Sequence, residues 1–397
     1  MAGRRRVPGT RVVLALCLLT AGLVGCGGGP APDGTRAQVQ GLLDRRAAAI
    51  LDGDETAYLR TGALDRFRNL RAVPLADWSY RVTAVRRTGD RAVAQAELRY
   101  RVEGYDRAPV RVGRSLDLAR DGRDGWYVAS ERPAKGSAQQ LWDQGEVGAV
   151  RGTDSLVLGV GQPPARLRAF ARLADSAVPA VSGAWGTDWP RHLVLLVPGS
   201  LTGMAGLLGA PESSYRGIAA VTTGETDAPA NAPADRIIVN PEAYGVLGSV
   251  GKQVVLSHEA THVATRAATT PATPLWLSEG YADWAGYRGS GRTPAEAAPE
   301  LGRELADGRV PQALPTDADF GFGGDANRLA RAYESGWMAC RMIAERWGEA
   351  RLTAFYRAVG AHEGREGAVE DALKDVLGVS LADFTADWRD YLRDRLG

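Results

Sequence analysis

The spacing of apolar positions changes character twice along the chain. Over 38–59, Val39, Leu42, Leu43, Ala47, Ile50 and Leu51 recur at three- and four-residue intervals, which predicts a helix with one buried face. Runs of two-residue period follow at 78–86, 92–102, 110–118 and 126–129, divided by turn residues. They predict antiparallel strands, with Arg123-Asp124-Gly125 as the last hairpin. Within them the arginines of 111–114 read as a solvated strand face. The polar stretch 135–140 reads as a linker. Beyond it, apolar runs at 155–160 and 193–197 flank a helical pattern at 164–178, a βαβ-like opening. Residues 235–240 read as an edge strand, and 224–234, rich in Ala, Pro, Thr and Asp, as a loop near a cleft. From Asn327 onward the pattern is helical, and Ser380-Leu381-Ala382-Asp383 opens a last helix with Phe384, Trp388 and Tyr391 on its apolar face.

Composition adds little to this division. A chain of 397 residues, 45% hydrophobic and 24% charged, is long enough for two or three cores. The formal net charge of +1 offers no electrostatic draw toward nucleic acid. The amino terminus is more informative. Arg4, Arg5, Arg6 and Arg11 precede and open an apolar run at 12–24 that falls short of the roughly 20 residues a membrane span needs. It has the length of a signal-peptide core, so 1–25 read as a signal peptide. Leu23-Val24-Gly25-Cys26 resembles the bacterial lipobox, which implies acylation at Cys26 and anchoring on the extracytoplasmic face of the cell membrane. The glycine-rich 26–35 would be a flexible tether. Cys17 would leave with the signal, so Cys340 has no thiol partner and reads as a buried small hydrophobe.

The candidate chemistry is concentrated in Ser257-His258-Glu259-Ala260-Thr261-His262. On a helix, residues four apart share a face, so His258 and His262 can hold one metal ion. Glu259 lies about 100° round the axis, within reach of a water on that ion. Seventeen residues after His262 comes Glu279, in Trp276-Leu277-Ser278-Glu279-Gly280-Tyr281-Ala282-Asp283. Thr273-Pro274 reads as the N-cap and first residue of its helix, and prolines 271 and 274 let that helix fold back against the first. Glu279 then supplies a third ligand, leaving a fourth position open for water. Asp283, one turn later, is placed either to orient a liganded histidine or to sit on the helix surface. Imidazoles with one carboxylate favour Zn2+, one per chain, with Glu259 as general base. His192 and His362 read as structural and solvated respectively.

The string H-E-x-x-H followed by W-L-x-E-G-x-A resembles the gluzincins, and within them the M1-like peptidase MA group. Tyr333-Glu334-Ser335-Gly336 is similar to their later Y-E-x-G, which implies Tyr333 as stabiliser of the tetrahedral intermediate. Asp283 after Glu279 resembles thermolysin-like members, in which that aspartate supports a metal ligand. One departure is clear. M1 aminopeptidases carry G-x-M-E-N, whose glutamate binds the substrate amino terminus, whereas this chain has Arg216-Gly217-Ile218-Ala219-Ala220-Val221, with Glu225 a weak substitute. Endo- and aminopeptidase modes therefore stay open. The first unit resembles the NTF2-like cone fold, which implies a ligand pocket or a surface for a partner protein. The expected fold class is α+β: an NTF2-like helix-plus-antiparallel-sheet domain at 36–134, then a gluzincin-like α+β zinc peptidase domain at 150–397 with a helical C-terminal half. The expected function is membrane-anchored, zinc-dependent hydrolysis of a peptide or protein substrate. The alternative is a catalytically silent binding lipoprotein with a structural zinc.

Overall fold

The computed structural model describes residues 33–63, 65–121, 125–224, 232–321 and 325–397. The segments expected as a signal peptide (1–25) and, up to 32, as a tether beginning at Cys26 lie outside the described residues, as do Arg123, Asp124, Glu225 and most of the 224–234 loop, whereas 33–35, expected in the tether, already belong to the first helix. The chain is a mixed α+β protein, as its two periodicities imply.

The amphipathic stripe forms helix Asp33–Leu51, which packs against an antiparallel meander of β1 (Leu75–Thr88), β2 (Arg91–Val102), β3 (Val110–Asp121) and β4 (Gly125–Pro133). Val39, Leu42 and Leu43 enter one core with Trp78, Tyr80, Leu98 and Leu116. The helix expected to run to 59 is interrupted. Gly53 adopts φ +67, open to it without a Cβ, and Asp54 caps a new short helix, Glu55–Leu59, by accepting the Ala57 N–H at 2.9 Å. A second correction concerns Arg114. Instead of facing water it is fully buried, its guanidinium held by Glu131 at 3.0 Å and by both oxygens of Asp143 at 2.7 and 2.9 Å. A strand sends alternate residues to opposite faces, so an arginine on the inner face is tolerated only when paired in this way.

The segment expected as a linker is packed down. Gln139 N–H bonds to the Gly206 carbonyl at 2.9 Å, Gln140 Oε1 accepts the Tyr100 hydroxyl at 2.6 Å, and Leu141 and Trp142 are buried in the first unit's core. The second sheet contains β5 (Val147–Arg151), β6 (Ser155–Val160), β7 (Leu193–Val197), β8 (Ala220–Thr223) and β9 (Arg236–Val239) in the order β5-β6-β7-β9-β8. Its three central strands are parallel and its outer two antiparallel. This corrects the expected edge: 235–240 supply β9, an interior strand, and the edge on that side of the sheet is β8. A single sequence shows that both segments are apolar but not their order across the sheet.

Alternation along β6 and β9 divides the sheet's two faces. Val157 and Ile237 join the large core of the helical half, whereas Leu156, Leu158 and Ile238 join the first unit's core. A buried ion pair adds to that seam: Arg236 Nη2 lies 2.8 Å from both carboxylate oxygens of Asp106, beyond the end of β2. Helix Pro164–Trp185 crosses from β6 to β7 and runs past the expected end at 178 with Pro179 inside it. The helix Ser249–Thr265, carrying the H-E-x-x-H motif, packs against it, and the remaining chain is mostly helical. Cys340 is a buried free thiol, His362 is half-buried beside Asp371, and half-buried His192 meets the Tyr105 ring edge-on at 5.2 Å. Among the described residues no helix is long and apolar enough to cross a membrane.

Candidate active site

Three helices meet at the H-E-x-x-H segment. The motif helix turns Leu256, Ala260 and Val263 into the main core, which leaves His258 and His262 together on a partly exposed face. The carboxylate helix, Leu275–Tyr287, begins one residue later than expected, with Pro274 as its N-cap. Thr273 does not cap it: its hydroxyl accepts the Thr270 N–H at 3.2 Å, and Asp317 reaches across to accept the Leu275 N–H at 2.9 Å. The tyrosine helix is Ala326–Trp347, started by Asp325, whose side chain accepts the Asn327 N–H.

Glycines set how closely these helices approach. A Cβ on Gly280 would lie 2.3 Å from the Gly336 carbonyl oxygen, and one on Gly336 would lie 2.5 Å from that of Trp276. The carboxylate and tyrosine helices therefore cross backbone to backbone, glycine on glycine. That crossing is next to Glu279 and one turn from Tyr333. Gly286 plays the same part toward the motif helix, where a Cβ would come 2.9 Å from the Val254 carbonyl oxygen. The glycines of E-G-x-A and Y-E-x-G are thus needed for contact between elements, whatever the chemistry.

The crossing brings His258, His262 and Glu279 together, with ligand atoms all within 4.8 Å of one another. The two Nε2 atoms are 3.0 Å apart, and Glu279 Oε2 lies 3.2 Å from His258 Nε2 and 3.4 Å from His262 Nε2. Zinc bonds of about 2.0–2.2 Å at tetrahedral angles put ligand atoms roughly 3.3–3.6 Å apart. The observed triangle is within a few tenths of an ångström of that, and its imidazole and carboxylate donors suit the ion. Asp283 Oδ1 lies 2.8 Å from His258 Nδ1, so the aspartate accepts the Nδ1–H and turns Nε2 toward the triangle. Burial alone would press the His258 pKa down, but Asp283 and Glu279 lift it well above the usual imidazole value. Burial works against ionisation of Glu279 as well, and His262 and His258 overcome it, holding the carboxyl well below the usual range.

Glu259 is only 6% exposed and sits beside the triangle rather than in it. Its Oε2 accepts a hydrogen bond from Thr222 Oγ1 of β8 at 2.6 Å. Tyr333 stands across from His258, ring centroids 6.4 Å apart, with Phe320 packed edge-on against it. Burial first, then the carboxylates of Glu279, Asp283 and Glu259, raise the Tyr333 pKa well above the ordinary phenol value, so the hydroxyl keeps its proton. The structure thus gathers all six site residues that the sequence marked within its described part. Sequence reasoning missed Thr222, because nothing in Ala220-Val221-Thr222-Thr223 distinguishes the threonine that faces the motif helix from the one that faces β9.

A cavity of about 710 Å³ opens beside the site, lined by Asp283 and Tyr333 and walled by Ile218, Tyr287, Leu329 and Trp337. Its acidic groups are engaged elsewhere. Asp283 holds His258, Asp325 accepts the Asn327 N–H at 3.0 Å, and Glu334 accepts the Leu301 N–H at 2.5 Å and the Glu300 N–H at 3.2 Å. Burial pushes the Glu334 pKa up to about 7 despite those two N–H groups.

No protein-family model and no curated protein matches the chain. Among solved structures it is similar to native yeast LTA4 hydrolase, at 13% identity over 70% of this chain and 44% of that one, with a TM-score of 0.36. It is also similar to an M1 zinc metallopeptidase from Deinococcus radiodurans with a Tyr-Ser-Ala substrate bound, at 11% identity over 77% and 90% of the two chains, TM-score 0.37. A two-domain M1 zinc metallopeptidase bound to L-arginine gives 14% identity over 72% and 61%, TM-score 0.35. The chain spans less than half the length of the yeast protein. Scores this low carry no weight for function, which stands on the site's own geometry.

Proposed function

We propose that this chain is a zinc-dependent peptidase. The observation that carries the reading is the His258–His262–Glu279 triangle with a buried carboxylate, Glu259, at its side and a protonated phenol, Tyr333, across from it. When bound, zinc would supply Lewis acidity, acidifying an attacking water and polarising the scissile carbonyl. Glu259 takes the water's proton and returns it to the departing amine. The Tyr333 hydroxyl donates a hydrogen bond to the oxygen that gains charge. Asp283 keeps His258 in the tautomer that ligation needs.

Two features support a substrate class. The edge strand β8 runs beside Glu259 and suits the main chain of an extended peptide, added as a further strand. The cavity's apolar walls suit a large side chain next to the scissile bond, with Arg216 as the cation on its lining.

The test has two parts. Purified protein should contain about one zinc per chain, and His262→Ala should lose it; retained zinc in that variant would remove His262 from the ligand set. A peptide-library digest read by mass spectrometry should give chelator-sensitive cuts beside large apolar residues, and the cut positions decide between internal and amino-terminal cleavage. Zinc bound without any cleavage would leave the catalytically silent binding protein as the surviving reading.

The lipobox supports anchoring through acylated Cys26 outside the cytoplasmic membrane. Cys26→Ser should then move the protein from the membrane pellet to the soluble fraction in the native host. A variant that still pelleted would refute the anchor.

A further inference from the structure

We infer that Thr222 is a positioning residue for the general base, an inference that rests on the peptidase reading of Glu259. Glu259 leaves the motif helix on a different side from the two histidines, so ligation of an ion does nothing to fix its own side chain. A glutamate has three rotatable bonds, and holding it in one arrangement needs an outside contact. Thr222 provides one. Its hydroxyl is 2.6 Å from Glu259 Oε2 and 3.1 Å from the Glu259 carbonyl oxygen. The single proton goes to the nearer and charged acceptor, making a short charge-assisted bond. That bond occupies Oε2 and leaves Oε1 for proton transfer.

Thr222 is itself firmly held. As a β-branched residue it is stiff at χ1. Its strand is in register with β9, Thr222 opposite Ile237 and Thr223 opposite Arg236, and Arg236 N–H donates to Thr223 Oγ1 at 3.2 Å. Arg236 is fixed in turn by Asp106 of the first unit, which also accepts the Ala234 N–H at 3.0 Å. Asp235, between them, binds Arg266 just past the end of the motif helix at 3.0 Å. β9, the strand paired with the one that carries the hydroxyl, is therefore tied at its start to the end of the helix that carries the carboxylate. The first unit takes part in this brace through Asp106.

A merely structural threonine would act through its methyl group and strand propensity, whereas a positioning threonine acts through its hydroxyl. Thr222→Val keeps the shape and removes the hydroxyl; Thr222→Ser does the reverse. We expect Thr222→Val to retain zinc and KM while kcat falls about 10- to 100-fold, with Thr222→Ser returning to within about threefold of the native chain. Metal-free crystal structures give a readout independent of turnover: the Glu259 carboxylate should stay on the residue-222 hydroxyl in the native chain and in Thr222→Ser, and leave that place in Thr222→Val. An unmoved carboxylate in the valine variant, or an unchanged kcat, overturns the inference. If the native chain cleaves no peptide, the peptidase reading fails and the crystal comparison still decides whether Thr222 positions Glu259.

Discussion

Glu259→Gln is expected to bind zinc like the native chain while peptide turnover falls about 10²- to 10⁴-fold, the usual contribution of general base catalysis. Glutamine has the shape of glutamate, and its amide oxygen can still accept the Thr222 hydroxyl, so the side chain keeps its place. Only its basicity is lost. Thr222→Val is the complementary lesion, with basicity kept and position lost. Two residues that act on one proton transfer should not add, so the double variant should be no slower than Glu259→Gln alone. Zinc analysis with single-turnover cleavage of a fluorogenic peptide measures both quantities. Undiminished cleavage by Glu259→Gln would take this residue out of the mechanism, and a further large loss in the double variant would give Thr222 a role independent of Glu259.

Much of the site could be read from sequence because its information is local. His258 and His262 need only the pitch of a helix, Glu279 and Asp283 only the same pitch on the next one, and the buried runs at Ser155–Val160 and Leu193–Val197 match their strands end to end. What was misread depends on partners distant in sequence. Periodicity puts 235–240 in a strand but not between β7 and β8, so an interior strand reads as an edge. Arg114 looks like its exposed neighbour Arg111 until Glu131 and Asp143 are brought onto it. Gly280 and Gly336 are recognisable as motif glycines, yet only the crossing of their helices explains why neither tolerates a Cβ. The turn at 52–54 is a different case: its Asp-Gly-Asp signal was present, and the apolar spacing on either side concealed it.

Glu131→Gln is expected to be the most damaging single substitution in the first unit, at about 3–5 kcal/mol, because it unbalances a buried charge cluster. Three guanidiniums, Arg46, Arg66 and Arg114, face two carboxylates, Glu131 and Asp143, with every one of these side chains 10% exposed or less. The cluster thus carries one surplus positive charge, three against two. Glu131 lies at its centre, 3.0 Å from Arg114, 3.1 Å from Arg66 and 3.9 Å from Arg46, and it also accepts the Tyr80 hydroxyl. Replacing it by an isosteric amide leaves three cations against one anion, with almost no water to screen them. Removing Arg46 instead leaves two against two. Arg46→Met therefore loses a Thr61 hydrogen bond and stacking on the Tyr58 ring but relieves the surplus, and should cost much less. Urea unfolding followed by tryptophan fluorescence, with Trp78, Trp126 and Trp142 in this core, gives the comparison. The same reasoning ties the cluster to the junction, because Asp143 comes from the segment leading into the second sheet: an unfolding midpoint in Glu131→Gln equal to that of Arg46→Met would mean that charge balance does not govern how the two units are joined.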